Sequence, residues 1–410
     1  MKKIIALLLV GCCICACTDD KRYAPKEGRV AVFETLTPQQ GQGTPQLEDA
    51  IRVENWPSKL FNNQNRLPNA KVEADKATAW RRKVGVSTDL GSRRLVPPLA
   101  TKDALFVLDG TYTLTKLNLT DGSQVWQKQL AADSAGVGLT LNNDKLFAVS
   151  SRGNVTALDL DGEQIWQKDF QVPMRSFVQT DKNALYFVTA HNQLICLSQK
   201  NGKEIWRYQT TKTSTLLQEM APPALAGGIL VAPFSTGEVI GFDIDSGSML
   251  WIQVMVGNRP RDMVEVPQIV AAPVIEKGIV YLVGNANLTG AYDLKTGISK
   301  WTHNFGGRVT PVLGKNALFI LTNDNELVSL DKKTGKVFWK QSYAPEKGQA
   351  WQSLTIQNNQ LVLEDGEKLV FVNPANGEKA AEREFDMKTQ PIVVGDRLIM
   401  MDEKTKVFYQ

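Results

Sequence analysis

The chain has 410 residues, 43% hydrophobic and 22% charged, an ordinary composition for a soluble protein with material for a large core. Its formal net charge is +4, and removing Lys2 and Lys3 with a leader leaves 4 − 2, or +2, with no block of like charges, which argues against nucleic acid as a partner. Cys12, Cys13, Cys15 and Cys17 crowd the N-terminus and only Cys196 lies in the body, which excludes an internal disulfide framework and a CxxC metal set.

The chain opens on Lys2-Lys3 and an apolar run from Ile4 to Cys15, too short for a spanning helix. The run ends Ile14-Cys15-Ala16-Cys17 and is followed by polar Thr18-Asp19-Asp20, a pattern that resembles a lipobox. That resemblance implies a signal peptide over 1–16 and Cys17 as the acylated (palmitate-bearing) first residue of the mature protein. Thr18, where an Asp would resemble an inner-membrane retention signal, implies export to the outer membrane. Residues 17–50, with the Pro-, Gly- and Gln-rich stretch Thr35 to Pro45, are expected to form a flexible tether.

From residue 51 to the end one pattern recurs. A hydrophobic strand runs into an Asp- or Asn-containing turn that ends in Gly, and a tryptophan follows. The instances run from Leu117 through Gly122 to Trp126, from Leu158 through Gly162 to Trp166, and from Leu197 through Gly202 to Trp206. They continue from Phe242 through Gly247 to Trp251, from Tyr292 through Gly297 to Trp301, and from Leu330 through Gly335 to Trp339. A seventh, from Val372 through Gly377, has Ala381 where the tryptophan belongs. The spacings are 40, 40, 45, 50, 38 and 42 residues, the period of propeller blades. Two further strands precede each motif, as in Ala272 to Ile275 and Ile279 to Val283, and Pro222, Pro273, Pro311 and Pro391 stand where a first strand begins. Each unit therefore reads as a four-stranded antiparallel meander. The chemistry of the motif is structural: Gly supplies a positive φ, Asp accepts turn N–H bonds, and the indole fills the gap between sheets.

The last unit, with strands from Pro391, Arg397 and Lys406, stops before its tryptophan strand. An orphan strand around Trp80, 46 residues before Trp126, completes it. The reading is an all-β, eight-bladed β-propeller in which N- and C-terminal strands close one blade, with Trp80, Trp126, Trp166, Trp206, Trp251, Trp301 and Trp339 as its repeat residues. Closure removes two exposed edges.

These turn-to-tryptophan units resemble the repeats of pyrroloquinoline-quinone-type propellers. With the lipobox and one bare propeller, the chain resembles the BamB family, lipoproteins of the outer-membrane β-barrel assembly (BAM) complex. The resemblance implies a non-enzymatic scaffold without cofactor, held at the outer membrane and facing the periplasm. Its partners would be the BamA-type barrel assembly protein and other assembly lipoproteins, with no small-molecule substrate, and it would aid insertion of outer-membrane proteins. The segment from Leu216 to Pro222 is similar to a partner-binding loop of that family: Leu216, Glu219, Ala221 and Pro222 match, while Leu217 replaces an expected arginine and Gln218 a glycine. Near Gln268 and Val270 the family's acidic residues are missing. The two longest inter-repeat stretches, Tyr208 to Glu219 and Val256 to Gln268, are expected side by side on one face. Leu216, Leu217, Glu219, Arg259, Arg261 and Asp262 are thus the candidate partner-binding residues.

Two other functions compete. A quinone-dependent dehydrogenase needs a cofactor cavity, a calcium ligand set and a catalytic carboxylate, often with adjacent cysteines. Here Cys196 is alone, reading as a small buried hydrophobe, and His191 and His303 fall in different blades. A sugar- or peptidoglycan-binding lipoprotein would show exposed aromatics on one rim, and Trp56 and Trp351, the only tryptophans outside the motif, are too few to argue from.

Overall fold

The computed structural model describes residues 41–409 apart from 74–77, 87–94, 132–133, 213–219, 257–267, 347–348, 386, 388 and 403. The lipobox with Cys17, the tether up to residue 40, and Leu216, Leu217, Glu219, Arg259, Arg261 and Asp262 lie outside the described residues. Among those described there is no helix.

Eight antiparallel sheets follow one another along the chain. Blade one spans Leu99–Gln129, blade two Gly136–Asp169, blade three Gln179–Gln209 and blade four Ala224–Val254. Blade five spans Val274–His303, blade six Val312–Ser342 and blade seven Ser353–Glu384. Blade eight takes three strands from Ile392–Tyr409 and its fourth from Trp80–Lys83, with Trp80 opposite Tyr409 and Lys83 opposite Lys406. The eight-bladed propeller closed by strand exchange is therefore present as read from the sequence.

Burial falls outward across each blade. First and second strands are almost wholly buried, while fourth strands expose most residues, as in the Gln164–Asp169 strand. First strands of neighbouring blades touch one another, which puts them at the ring's centre. Strand directions then fix the faces. The turns between first and second strands and the Gly-containing turns lie on one face, and the connections from each fourth strand to the next blade lie on the other.

The tryptophans join the blades. Each indole N–H donates to a backbone carbonyl of the next blade: Trp80 to Leu119 at 2.8 Å, Trp126 to Leu160 at 3.1 Å and Trp166 to Gln199 at 2.9 Å. Trp206 donates to Ile244 at 3.1 Å, Trp251 to Leu294 at 2.8 Å, Trp301 to Lys332 at 3.2 Å and Trp339 to Pro374 at 2.8 Å. The ring lies on the turn glycine of that next blade. A carbon added at Gly122 would fall 2.6 Å from Trp80, and one at Gly247 would fall 2.6 Å from Trp206. These glycines also have positive φ, +70° and +69°, so both the turn and the indole require the missing side chain.

Ala381 has no such partner. The blade after it is blade eight, whose third and fourth strands come from opposite ends of the chain, so no Gly-containing turn exists there to receive an indole. The space is filled differently. In blade four Trp251 stands opposite Gly241, whereas in blade seven Ala381 stands opposite Phe371. Large and small have exchanged strands. Phe371 packs with Phe385 on a cluster of Val362, Leu369, Met387 and Met400 that bridges blades seven and eight.

Candidate functional site

Residues 41–73 precede the blades and form a strap along the face of the Gly-containing turns. Gly41 N–H donates to Val337 O at 2.7 Å and Gln46 N–H to Asn316 Oδ1 at 2.7 Å, both in blade six or its turn. The strap then bridges blade eight at Val53–Gly395, blade one at Trp56–Ala100 and blade two at Ser58–Thr140. Leu225 N–H of blade four donates to Asn63 O at 2.7 Å, and Ile275 N–H of blade five to Gln64 O at 3.0 Å. Asn69–Ala70 finally adds a parallel fifth strand to blade seven, opposite Ile356–Gln357. Residues 41–50 thus lie along the ring, which places the first attachment ahead of the expected boundary at residue 51.

Asn65 pins the strap at the centre. It is fully buried, with φ +55°, a conformation asparagine tolerates better than most residues. Its side-chain amide donates to Pro223 O at 3.1 Å and Pro273 O at 2.9 Å, while its oxygen accepts from Gln179 Nε2. One side chain therefore ties blades three, four and five together. A charged cluster does the same for blades five and six: buried Glu276 meets Arg66 of the strap at 2.9 Å and Lys332 of blade six. The sequence reading missed this strap, because an irregular segment has no period. The signal present was Asn62-Asn63-Gln64-Asn65, a run of side chains suited to bonding backbone groups.

The strap narrows the channel. Leu60 is buried with Phe177, Ala221 and Ala272 from three blades. A cavity of about 40 Å³ is left there, lined by Leu60, Met220, Pro222, Val270, Arg308 and Gln390 among others. A shallow groove of about 370 Å³ lies beside the strap, between Phe61 and the Asn142–Asp144 turn.

The remaining sequence candidates fall as follows. Met220 and Val270, near the ends of the two long connections, line the cavity, and Gln268 is fully buried. Cys196 is buried opposite Trp206, and burial pushes its thiol up to about 12. His303 bonds Gly335 O at 2.7 Å through Nε2, and burial pulls its pKa down. The phenols of Tyr112 and Tyr292 are raised by burial between blades. These shifts all belong to packing, and none of these groups lines the channel cavity. Among the described residues no three His, Cys, Asp or Glu are grouped to hold a metal. Trp56 and Trp351 are both buried, so neither contributes an exposed aromatic platform.

A family model described as "Outer membrane protein assembly factor BamB" matches residues 113–341, from blade one into blade six. No curated protein matches the sequence. Among solved structures, BamB from Moraxella catarrhalis aligns with a TM-score of 0.69 at 15% identity, over 81% of this chain and 98% of that one. Quinohemoprotein alcohol dehydrogenase from Comamonas testosteroni aligns with a TM-score of 0.67 at 11% identity, over 88% of this chain and 81% of that one. A computationally designed protein, Ika8, aligns with a TM-score of 0.60 at 14% identity, over 80% of this chain and 99% of that one. These likenesses carry the fold, which enzymes and non-enzymes share, and the family model covers more than half of the 410 residues. The chain belongs to the family of the outer membrane protein assembly factor BamB.

Proposed function

We propose that this protein is a non-enzymatic scaffold lipoprotein of outer-membrane β-barrel assembly, anchored through Cys17 to the outer membrane and facing the periplasm. On this reading it binds a BamA-type barrel assembly protein through the connections that hold Leu216, Leu217 and Glu219, and Arg259, Arg261 and Asp262. The family match is the observation that carries the reading. The distribution of loops supports it as well: the strap runs along one face, and the described ends of both long connections, which leave blades three and four, lie on the other. Met263 beside Arg259, Arg261, Asp262 and Glu265 gives a composition suited to an interface with an apolar contact and a charged rim.

Two variants test the reading. Cys17→Ser is expected to leave the protein in the soluble periplasmic fraction or as uncleaved precursor, and unchanged outer-membrane fractionation would refute the anchor. Leu216→Asp with Arg261→Glu is expected to weaken crosslinked capture of the barrel assembly protein at unchanged thermal stability. Equal capture by this double variant and the unmodified protein would put the binding face elsewhere.

A further inference from the structure

The fourth strand of every blade is a sheet edge that faces solvent, and such edges recruit other chains unless something guards them. Charge is the guard on seven of the eight. Blade one carries Lys128, blade two Lys168 and Asp169, blade three Glu204 and Arg207, and blade five Lys300. Blade six carries Lys340, blade seven Lys379, Glu382, Arg383 and Glu384, and blade eight Arg81, Arg82 and Lys83. Blade four reads Met-Leu-Trp-Ile-Gln-Val over Met249–Val254 and has no charge.

Its apolar side chains are also the ones left in water. Met249 is 52% exposed, Leu250 47%, Ile252 44% and Val254 55%, and Ile298 of the adjoining turn in blade five is 64% exposed. Position explains only part of this. The residue before the tryptophan is apolar and exposed in other blades too, as at Val125, Ile165 and Ile205, whereas Met249, Ile252 and Val254 replace polar or charged residues of those blades. Trp251 turns inward to blade five, and side chains alternate along a strand, so Ile252 and Val254 share the opposite row. Leu250 is the extra residue of a bulge, set out beside them. On its inner side the strand pairs with Glu238–Asp243, and among the described residues no strand pairs with its outer side.

We propose that the outer edge of blade four binds an extended polypeptide segment with apolar side chains at alternate positions, by adding it as a fifth strand. The unpaired backbone asks for a strand, the uncharged row for uncharged apolar contacts, and the six-residue length for a short segment. An unfolded strand of a transmembrane barrel has this alternation. A second copy of this chain fits less well, because a six-residue edge is far short of the roughly 800 Å² per partner that a stable dimer buries. Main-chain bonding with a few apolar contacts suits weak, sequence-tolerant holding of many strands. Only the source of the strand rests on the assembly-scaffold reading; the edge itself does not.

The test uses the mature chain and a capped ten-residue peptide alternating apolar and polar residues, with a proline-interrupted peptide of equal composition as control. Binding by fluorescence anisotropy and slowed amide exchange at 249–254 are expected for the alternating peptide alone. Ile252→Lys with Val254→Glu is expected to weaken that binding at least tenfold at unchanged Tm, while Val125→Lys on blade one leaves it unchanged. Equal binding by the double variant, or equal binding of the proline peptide, would overturn the proposal. So would a concentration-dependent dimer that the same double variant abolishes, which would assign the edge to a second copy. Capture of the barrel assembly protein is scored separately with Leu216→Asp and Arg261→Glu, so either reading can fail alone.

Discussion

Seven joints of the ring and the eighth solve the same problem by different chemistry. At seven, an indole lies on a turn glycine of the next blade and donates to a carbonyl there. At the joint between blades seven and eight there is no turn to lie on, and Ala381, Phe371 and the Met387–Met400 cluster take over. The strap supplies the rest. It pairs with blade seven at Asn69–Ala70, and then Glu73 N–H reaches Asp396 O of blade eight at 2.8 Å. The lesson is that the missing tryptophan goes with the strand exchange, which builds blade eight's third and fourth strands from segments that no turn joins. A clamp needs a continuous turn in the neighbour, and the seam blade is the one place without it.

The largest effect is expected at the seam itself. A chain ending at Met401 loses Lys406–Tyr409, the strand that pairs with both Ile399–Met401 and Trp80–Lys83. Two edges open at once, and the expected outcome is aggregation or loss of a cooperative melt, checked by size-exclusion chromatography and calorimetry. A truncated chain with an unaltered melt would mean that the strand exchange does not hold the ring.

Next comes the clamp. Trp251→Ala removes a buried indole and its bond to Leu294 O, so we expect a loss of about 3–5 kcal/mol. Trp126→Ala, at a half-buried clamp, should cost less, and chemical denaturation of the two variants checks the order. Asn65→Ala strips two buried carbonyls and Gln179 of their partner and is expected to cost about 2–3 kcal/mol. Asn65→Asp should not rescue it, since a carboxylate cannot donate to Pro223 O and Pro273 O. Ala381→Trp puts an indole where blade eight has no turn to receive it. A clamp without a receiving turn is expected to change stability by less than about 0.5 kcal/mol, the size of an ordinary surface substitution.

The smallest effect is a pH slope. Burial lowers the pKa of His303 below its ordinary value of 6.5, so the unfolded chain binds a proton that the folded chain refuses. Its contribution is present above that value and is lost as the pH falls toward the folded pKa. Thermal melts of the protein and of His303→Gln should diverge in slope below about pH 6.5, the variant being flatter.

How much of this was legible follows from the same contrast. The clamps repeat, so a period near 40 residues exposed the blades, the turn glycines and the shared eighth blade. Even the exchange at Ala381 was visible as a gap in the pattern, though its reason needed Phe371 placed opposite. The strap was not legible: Asn65 bonds three blades more than 100 residues away, and no local pattern announces such contacts. The uncharged edge of blade four was written plainly in Met249–Val254, yet it stood out only once seven other edges were aligned beside it. The partner-binding candidates were drawn from loop length and family likeness, and their positions lie outside the described residues.

The eighth joint is held by the strap together with the Phe371 cluster, where each of the other seven has a tryptophan clamp. Asn69 is the place to test it, because its amide donates to Glu48 O and Asn359 Oδ1, both at 2.7 Å, and so fixes the strap to blade seven. Native-state hydrogen exchange of Asn69→Ala reads the result strand by strand. Faster exchange is expected in Ile356–Gln357, Ile399–Met401 and Val407–Tyr409, with the strands of blades two to four unchanged. Uniform acceleration around the ring, or no change at blades seven and eight, would contradict it.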